Sequence, residues 1–132
     1  MLIEIGLKTS KREILIDITN LINDEIKKSK ISSGISLVYT PHTTSAITIN
    51  ENADPDVCTD ILKGLKDISP VKSSYLHGEG NSDAHIKASL FGMSQMIIIE
   101  EGRLKLGTWQ GIYFCEFDGP RNRKIWLKII KD

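Results

Sequence analysis

The chain has 132 residues, a length typical of one folded domain that buries roughly two-thirds of the surface of its unfolded chain. Its 17 basic and 17 acidic residues give a formal net charge of zero, which disfavours nucleic acid and an anionic membrane surface as partners. Its two cysteines lack a short spacing and no apolar stretch approaches the ~20 residues of a membrane span, so we expect a reduced, cytoplasmic, single-domain protein over residues 1–132.

The N-terminal part of the chain predicts two strands followed by a helix. Residues 2–7 and 13–17 are rich in isoleucine and leucine, and a polar segment joins them, so they predict a β-hairpin. Thr19 and Asn20 are candidate N-caps for a segment in which acidic residues come early and lysines late. That order of charge suits a helix dipole, and we expect a first helix there.

The middle of the chain predicts two more strands and a second helix. Residues 33–39 and 46–50 are rich in β-branched residues and flank a short turn. The second helix should start at the sequence Asp54-Pro55-Asp56, where a capping carboxylate precedes a proline in the first helical position. Apolar residues then recur at helical spacing until a Ser-Pro sequence ends the helix.

The remaining segments predict a short helix and the rest of the sheet. The third helix should begin at Asn81 or Ser82 and end at Gly92, a residue that tolerates the left-handed conformation of a helix end. Further strands are expected at residues 96–100, 108–116 and 124–131. This order of elements predicts an α+β fold, with a mixed or largely antiparallel sheet and about three helices.

All three histidines of the chain lie in segments rich in turn and hydroxyl residues. His42 lies within residues 41–45, and His77 and His85 flank residues 78–84. His85 would fall in the first turn of the third helix, whose N-terminus attracts anions and keeps an imidazole neutral. Neutral imidazoles are typical ligands of a transition metal, so the pattern indicates one divalent-metal site formed by His42, His77 and His85. The alternative for His42 is an ordinary loop histidine.

Polar residues near the histidines are candidates for binding an anion or moving a proton. The hydroxyls of Thr43, Thr44 and Ser82 can contact phosphate oxygens. Asn81 either makes only the turn or helps the backbone approach the same anion. Glu51 is a candidate acid or base, and its alternative is a capping or solvated turn residue.

Three other residues also have two interpretations. Trp109 is more simply a core residue, but Gly107 and Gly111 on either side suggest close packing, for example against a neighbouring subunit. Arg121 and Arg123 most simply belong to a solvated turn, and a contact with the bound anion is the alternative.

Several motifs in the chain occur in an order typical of one protein family. The first is carried by residues 94–102 and by the sequence Gly107-Thr108-Trp109-Gln110-Gly111-Ile112. Others lie at residues 41–45, 48–57 and 84–87. Together they resemble the YjbQ family, also called UPF0047 and named for a secondary thiamine-phosphate synthase activity. The resemblance covers about residues 39–116, a multi-part match that is more specific than a single glycine-rich loop.

The resemblance implies a compact α+β homotrimer with a metal site. It also implies a transferase of the thiamine-phosphate synthase type, which joins a hydroxymethylpyrimidine diphosphate to a thiazole phosphate and releases pyrophosphate. For that reaction we assign catalytic roles to Glu51 and His42. The phosphorylated substrate would contact Thr43, Thr44, Asn81 and Ser82.

The metal and the reaction both have alternatives. Three imidazoles with an open fourth position suit Zn²⁺ or a related transition metal. Because pyrophosphate chemistry commonly uses Mg²⁺, Mg²⁺ is the alternative metal. A metal-dependent hydrolase of a phosphorylated metabolite would need only a metal-activated water, with Glu51 taking its proton. A non-catalytic trimer that binds a phosphorylated metabolite would need no nucleophile, and the sequence offers no obvious one.

Overall fold

The computed structural model describes residues 2–132 as three helices and eight strands. The helices are α1 (Thr19–Ser29), α2 (Pro55–Ile68) and α3 (Ser82–Phe91). The strands are β1 (Leu2–Lys8), β2 (Ile14–Asp17), β3 (Gly34–Tyr39), β4 (Ser45–Glu51), β5 (Ser94–Glu100), β6 (Arg103–Leu104), β7 (Gln110–Glu116) and β8 (Asn122–Lys131). The predicted segments are present, and their ends shift by a residue or two.

Two antiparallel sheets form the framework of the fold. The larger sheet has the strand order β1-β8-β3-β5-β6, and the smaller has the order β2-β7-β4. All strand pairs in both sheets are antiparallel. The prediction of an α+β fold with a largely antiparallel sheet and about three helices is therefore confirmed, although the division into two sheets was not predicted.

The predicted hairpin of residues 2–7 and 13–17 is wrong. β1 pairs with β8 in the larger sheet, whereas β2 pairs with β7 in the smaller sheet. The segment between them is held by the turn before β8: the N–H of Thr9 donates to the carbonyl of Arg121, and the N–H of Gly119 donates to that of Arg12. Because these partners lie far along the sequence, the segment crosses between the sheets instead of turning back on itself.

The main core lies between the larger sheet, α1 and one face of the smaller sheet. It consists of aliphatic side chains and one phenylalanine, which include Ile18, Ile22, Ile26, Val38, Ile47, Ile97, Ile99, Ile112, Phe114, Ile125 and Leu127. In α1 the buried residues recur every four positions, which places them on one helix face. Burial of this face holds α1 against the sheets.

A second core lies on the other face of the smaller sheet, against α2 and α3. Its buried residues are Ala46, Leu65, Ala84, Ala88, Tyr113, Cys115 and Phe117. β7 supplies both cores because alternate residues of a strand point to opposite faces, so Phe114 and Cys115 belong to different cores. The small side chains of Ala84 and Ala88 let α3 pack closely on β4, and this contact sets the position of His85.

The sequence predicted two of the three helix starts correctly. The side chain of Asp54 accepts a hydrogen bond from the N–H of Asp56 at 2.9 Å and caps α2 as expected. α3 starts at Ser82 and ends at Gly92 as expected. α1 differs, because Thr19 is its first helical residue and its hydroxyl accepts from the N–H of Ile112 at 2.9 Å. Thr19 thus ties α1 to β7 instead of capping the helix.

Three further expectations concern single features of the chain. Cys58 and Cys115 are free thiols, and Cys115 is buried in the second core as expected for a packing residue. Trp109 is 63% exposed, so the core interpretation is wrong; it lies in the loop before β7, outside both cores.

Across residues 2–132, no helix combines the length and the apolar character that crossing a membrane requires.

Candidate functional site

A cavity of ≈ 420 Å³ is lined by all three histidines of the chain. Its walls come from the loop between β3 and β4, the segment that leads into α3, the first turns of α3, and the segment around the start of β8. Besides the histidines, the residues that matter most are Thr43, Thr44, Asn81, Asp118, Arg121 and Arg123. This arrangement agrees with the expectation from the sequence that the segments carrying the three histidines meet at one site.

The pairing of β4 with β7 explains why these segments meet. Ser45, the first residue of β4, lies opposite Glu116, the last residue of β7. Residues just before β4 and just after β7 therefore emerge at the same end of the smaller sheet, which brings His42 close to Asp118. α3 packs beside β4 and adds His85 to this end.

A buried ion pair lies behind the cavity. The Arg123 Nε–H donates to Glu116 Oε1 at 2.9 Å, and its Nη2 donates to the other Glu116 oxygen and to Thr44 Oγ1 at 2.8 Å. Burial alone would raise the pKa of the Glu116 carboxyl, but hydrogen bonds from Arg123 and Thr9 outweigh burial and lower this pKa. The pair is therefore ionised and anchors the loop before β4. The interpretation of Arg123 as part of a solvated turn is wrong.

His42 is held by the backbone of β8. The N–H of Lys124 donates to His42 Nε2 at 2.9 Å. A neutral imidazole that accepts at Nε2 carries its proton on Nδ1. Burial lowers the pKa of His42, and the positive charge of Arg123 lowers it further. His42 is thus a neutral ring that can donate one hydrogen bond, and its Nε2 is not free for a metal.

His77 and His85 form a second group in the same cavity. Their ring centres lie 5.3 Å apart and their planes are nearly perpendicular, at 87°. Two imidazoles bound to one tetrahedral zinc through ~2.0–2.1 Å bonds have ring centres roughly 5 Å apart, so this spacing fits a shared metal ion.

The third predicted ligand does not join this pair. Within residues 2–132, no three His, Cys, Asp or Glu side chains are grouped so that they could hold a metal ion. The ligand set predicted from His42, His77 and His85 is thus reduced to a pair in this structure, because His42 is bound to β8. Metal binding itself stays a prediction.

Asn81 contributes an unpaired acceptor to the cavity. Its side chain is buried, and its Nδ2 donates to Asp118 Oδ2 at 2.7 Å; Arg121 Nη2 donates to the same oxygen at 2.9 Å. Asn81 Oδ1 has no hydrogen-bond partner in the part of the chain that the structure describes. A buried acceptor without a partner costs ~1–3 kcal/mol, so this atom favours a bound group that can donate a hydrogen bond.

Only some of the residues predicted to contact the anion line the cavity. Thr43, Thr44 and Asn81 line the cavity, but the Thr44 hydroxyl already accepts from Arg123. Ser82 is the first residue of α3 and is not part of the cavity lining. The predicted set is therefore only partly assembled.

Glu51 lies far from the histidines. It is the last residue of β4, while His42 precedes the first. Six residue steps at ~3.3 Å each separate the ends of this strand by roughly 20 Å. Within one chain, Glu51 and His42, to which the sequence analysis gave catalytic roles, therefore do not meet, because a straight strand keeps its two ends apart.

Glu116 and Asp118 were not predicted from the sequence as residues of the site. Glu116 is a charged residue at the end of an otherwise apolar strand, and a buried carboxylate requires a cationic partner. This signal could have indicated a buried ion pair. It could not have identified Arg123 as the partner, because that contact depends on how β8 follows the turn.

We expect the His42 ring to titrate below the ~6.5 of an unperturbed histidine. Since its folded pKa is lowered, its contribution to stability is present above the unfolded value and is lost as the pH falls through the folded value. NMR titration of the ring Cε1 protons measures this, with His42→Gln to assign the signal. A His42 pKa at or above ~6.5 would contradict the described burial.

Comparisons with known proteins agree along nearly the whole chain. The sequence matches the model of the UPF0047 protein YjbQ-like family over residues 3–132. A UPF0047 protein of Methanocaldococcus jannaschii is 56% identical over 132 residues, which cover 100% of this chain and 96% of that protein. The UPF0047 protein YugU of Bacillus subtilis is 51% identical over 131 residues, covering 98% and 99%.

Solved structures show the same fold. A crystal structure from Clostridium acetobutylicum, of an uncharacterized conserved protein of the YjbQ/UPF0047 family, has a TM-score of 0.94 and 62% identity and covers 97% of this chain and 99% of its own. A YbjQ-like protein of unknown function from Sulfolobus solfataricus has a TM-score of 0.94 and 33% identity, covering 100% and 97%.

These comparisons correct the expected reaction. The relatives carry only UPF0047 names, and the solved structures are described as uncharacterized or of unknown function. Neither thiamine-phosphate synthesis nor metal-dependent catalysis is attributed to any of them. The expected transferase and the alternative hydrolase are therefore wrong. The comparisons do not test the catalytic roles that Glu51 and His42 were given for that reaction.

Proposed function

The chain belongs to the UPF0047 protein YjbQ-like family, and from its histidine cavity we propose that it binds a divalent transition metal together with a small phosphorylated molecule. The observation that carries this proposal is that all three histidines line one cavity, with His77 and His85 spaced for a shared ion. Imidazole ligands favour Zn²⁺ or a related transition metal over Mg²⁺.

His77 and His85 would supply two of the metal's ligands. A tetrahedral ion then keeps two positions open, and oxygen atoms of the bound molecule can fill them. His42 would donate its Nδ1–H to the same molecule, because its other nitrogen accepts from β8. In this arrangement His42 binds the phosphorylated molecule and not the metal.

The charges of the cavity explain why the metal and the anion would bind together. Two arginines and two carboxylates line it: Arg121, Arg123, Glu79 and Asp118. Because the buried Glu116 also pairs with Arg123, these groups leave no excess positive charge. Without a metal, this lining offers a phosphate little net attraction. A divalent ion supplies the missing positive charge.

We expect zinc affinity to fall at least about 100-fold in His85→Ala, because one of two protein ligands is lost. Isothermal titration of chelator-treated protein with zinc chloride measures it. Methyl phosphate should then bind the zinc-loaded protein at least about tenfold more tightly than the metal-free protein, because the ion supplies the cavity's positive charge.

The matched control for this experiment is His42→Ala, which also removes one imidazole. It should retain zinc affinity within a few-fold and lose affinity for methyl phosphate. Equal zinc affinity in His85→Ala and the wild-type protein would refute the metal site. Equal methyl phosphate affinity with and without zinc would refute the coupled binding.

We also propose that the protein is a homotrimer, assembled through the outer face of the larger sheet. Large apolar side chains are exposed along this face, among them Leu2, Ile35, Tyr39, Met96, Ile98 and Ile130. The face's polar Trp126 Nε1–H is already bonded to Glu4 at 3.1 Å. A contiguous apolar face suits contact with further copies of the chain.

The expected solution mass is three times the 14.8 kDa of the chain. Ile98→Asp should shift it to the monomer mass, because a carboxylate would be buried at the interface. Light scattering coupled to size-exclusion chromatography measures both. Ile68→Asp on α2 is the control, because Ile68 is also exposed, at 70% against 59% for Ile98. A monomeric wild-type protein, or a trimeric Ile98→Asp, would refute this assembly.

A further inference from the structure

A second ligand-sized space lies between α2, α3 and the segment before β2. It consists of two grooves of ≈ 590 and ≈ 490 Å³ that share Arg12, Glu13 and Lys66 in their linings. These volumes fall within the ~300–1,000 Å³ typical of small-molecule sites. We call the combined space the basic groove, because four cations and two carboxylates line it: Arg12, Lys63, Lys66 and Lys87 with Glu13 and Asp83.

The basic groove is separate from the histidine cavity. Asp83 and Lys87 of α3 line the groove, whereas His85 lines the cavity. Positions two residues apart in a helix point about 200° away from each other, so the two spaces lie on opposite faces of α3. A ligand in the groove would therefore contact none of the histidines.

The buried floor of the groove is neutral. Lys87, whose side chain is 1% exposed, donates to Asp83 Oδ2 at 3.1 Å and to Glu13 Oε2 at 3.2 Å. Arg12 donates to both Asp83 oxygens, at 3.0 and 3.2 Å. Two cations thus offset two carboxylates. Lys87 uses two of its three N–H donors in these bonds, so one remains for a ligand.

The rim of the groove carries unbalanced positive charge. Lys63 and Lys66 lie one turn apart on α2, and neither has an acidic partner within residues 2–132. Beside them, Leu62 is half-buried and Val71 is 65% exposed, so part of the wall is apolar. In a chain with zero net charge, this combination favours a ligand with an anionic head and an apolar body.

We propose that the basic groove binds a phosphate monoester with an apolar body, and that no metal takes part. A phosphate monoester carries a charge of ≈ −1.5 to −2 at pH 7, whereas a carboxylate carries only one negative charge. Two unpaired ammonium groups therefore match a phosphate monoester better than a carboxylate ligand. Lys63 and Lys66 contact the phosphate, and Leu62 and Val71 contact the apolar part. Lys87 donates its third N–H from the floor.

The test uses 1-naphthyl phosphate, a fluorescent probe of this chemistry, with full-length chelator-treated protein. We expect saturable binding to the wild-type protein, and affinity reduced roughly tenfold or more in the double variant Lys63→Gln/Lys66→Gln. Both lysines are exposed, so the fold should be kept. 1-Naphthol lacks the phosphate, and methyl phosphate lacks the large apolar group. Each should bind at least about tenfold more weakly than the probe.

His85→Ala distinguishes the basic groove from the histidine cavity. It should bind 1-naphthyl phosphate as the wild-type protein does, and amide NMR shifts should change at residues 59–71 rather than at 77 and 85. Loss of binding in His85→Ala, or equal binding by the lysine double variant and the wild-type protein, would overturn the proposal. Equal affinity for 1-naphthol and 1-naphthyl phosphate would show that the groove has an apolar patch without a phosphate site, and this result would also overturn the proposal. Failure of the zinc titration would leave this result unaffected.

Discussion

Replacing Arg123 with leucine is expected to lower the free energy of unfolding by about 3–5 kcal/mol. The change leaves the buried Glu116 carboxylate with only the Thr9 hydroxyl and the N–H of Asp118 as partners. Two neutral donors cannot replace the guanidinium charge in a site without solvent. The hydrogen bond to Thr44 is lost as well, so the loop that carries His42 loses its anchor. Urea unfolding at neutral pH measures the difference.

Arg121→Leu is the matched control, since it removes the same guanidinium from a neighbouring position. The Arg121 side chain is 49% exposed and its partner Asp118 is near the surface. An exposed pair of this kind contributes ~0–1 kcal/mol. Equal losses of stability in the two variants would show that the Arg123–Glu116 pair is solvated and not buried.

Lys87→Met is expected to cost about 3 kcal/mol of unfolding free energy. The methylene chain is kept, but Asp83 and Glu13 lose the buried ammonium that both accept from. Burial alone would raise the pKa of the Asp83 carboxyl, and hydrogen bonds from Arg12 and Lys87 lower it below its usual range. Removing Lys87 should therefore raise this pKa and move acid unfolding to higher pH.

The sign of this pH effect follows from the lowered folded pKa of Asp83. Its contribution to stability is present above the unfolded value of ~3.9 and is lost as the pH falls through the folded value. Lys66→Met, which removes an exposed and unpaired ammonium from α2, should change stability by less than about 0.5 kcal/mol. Unfolding midpoints between neutral and acidic pH measure both variants. A Lys87→Met protein as stable as Lys66→Met would contradict the buried network.

Local chemistry in the sequence was enough to predict the start of α2 and the end of α3. Asp54 and Pro55 specify the start of α2 through one side-chain bond and one fixed dihedral, both of which act within a few residues. Gly92 similarly ends α3 by taking a positive φ of 89°. These features were predicted because no distant part of the chain is needed to form them.

The sheet topology depended on distant partners and was not predicted. β1 and β2 have the composition of a hairpin, but each finds its neighbour near the C-terminus. Their apolar composition identifies them as strands but does not specify the partner strand. The same limit applies to Glu51, whose distance from His42 follows from the direction of β4.

The candidate site was partly predictable for a related reason. The three histidines lie in short turns, and the turns meet at one end of the smaller sheet. The orientation of His42 depends on a hydrogen bond from β8, which no local pattern encodes. The burial of Lys87 likewise depends on Glu13 and Arg12 from the opposite end of the sequence, although its spacing from Asp83 is visible.

Anomalous X-ray scattering at the zinc absorption edge, from a crystal of the protein soaked in zinc chloride, tests the metal site most directly. We expect one strong peak between the rings of His77 and His85, ~2.0–2.1 Å from one nitrogen of each. His42 should keep its hydrogen bond to β8 in the same crystal. A peak at other residues only, or no peak in the histidine cavity, would show that this cavity does not hold a transition metal.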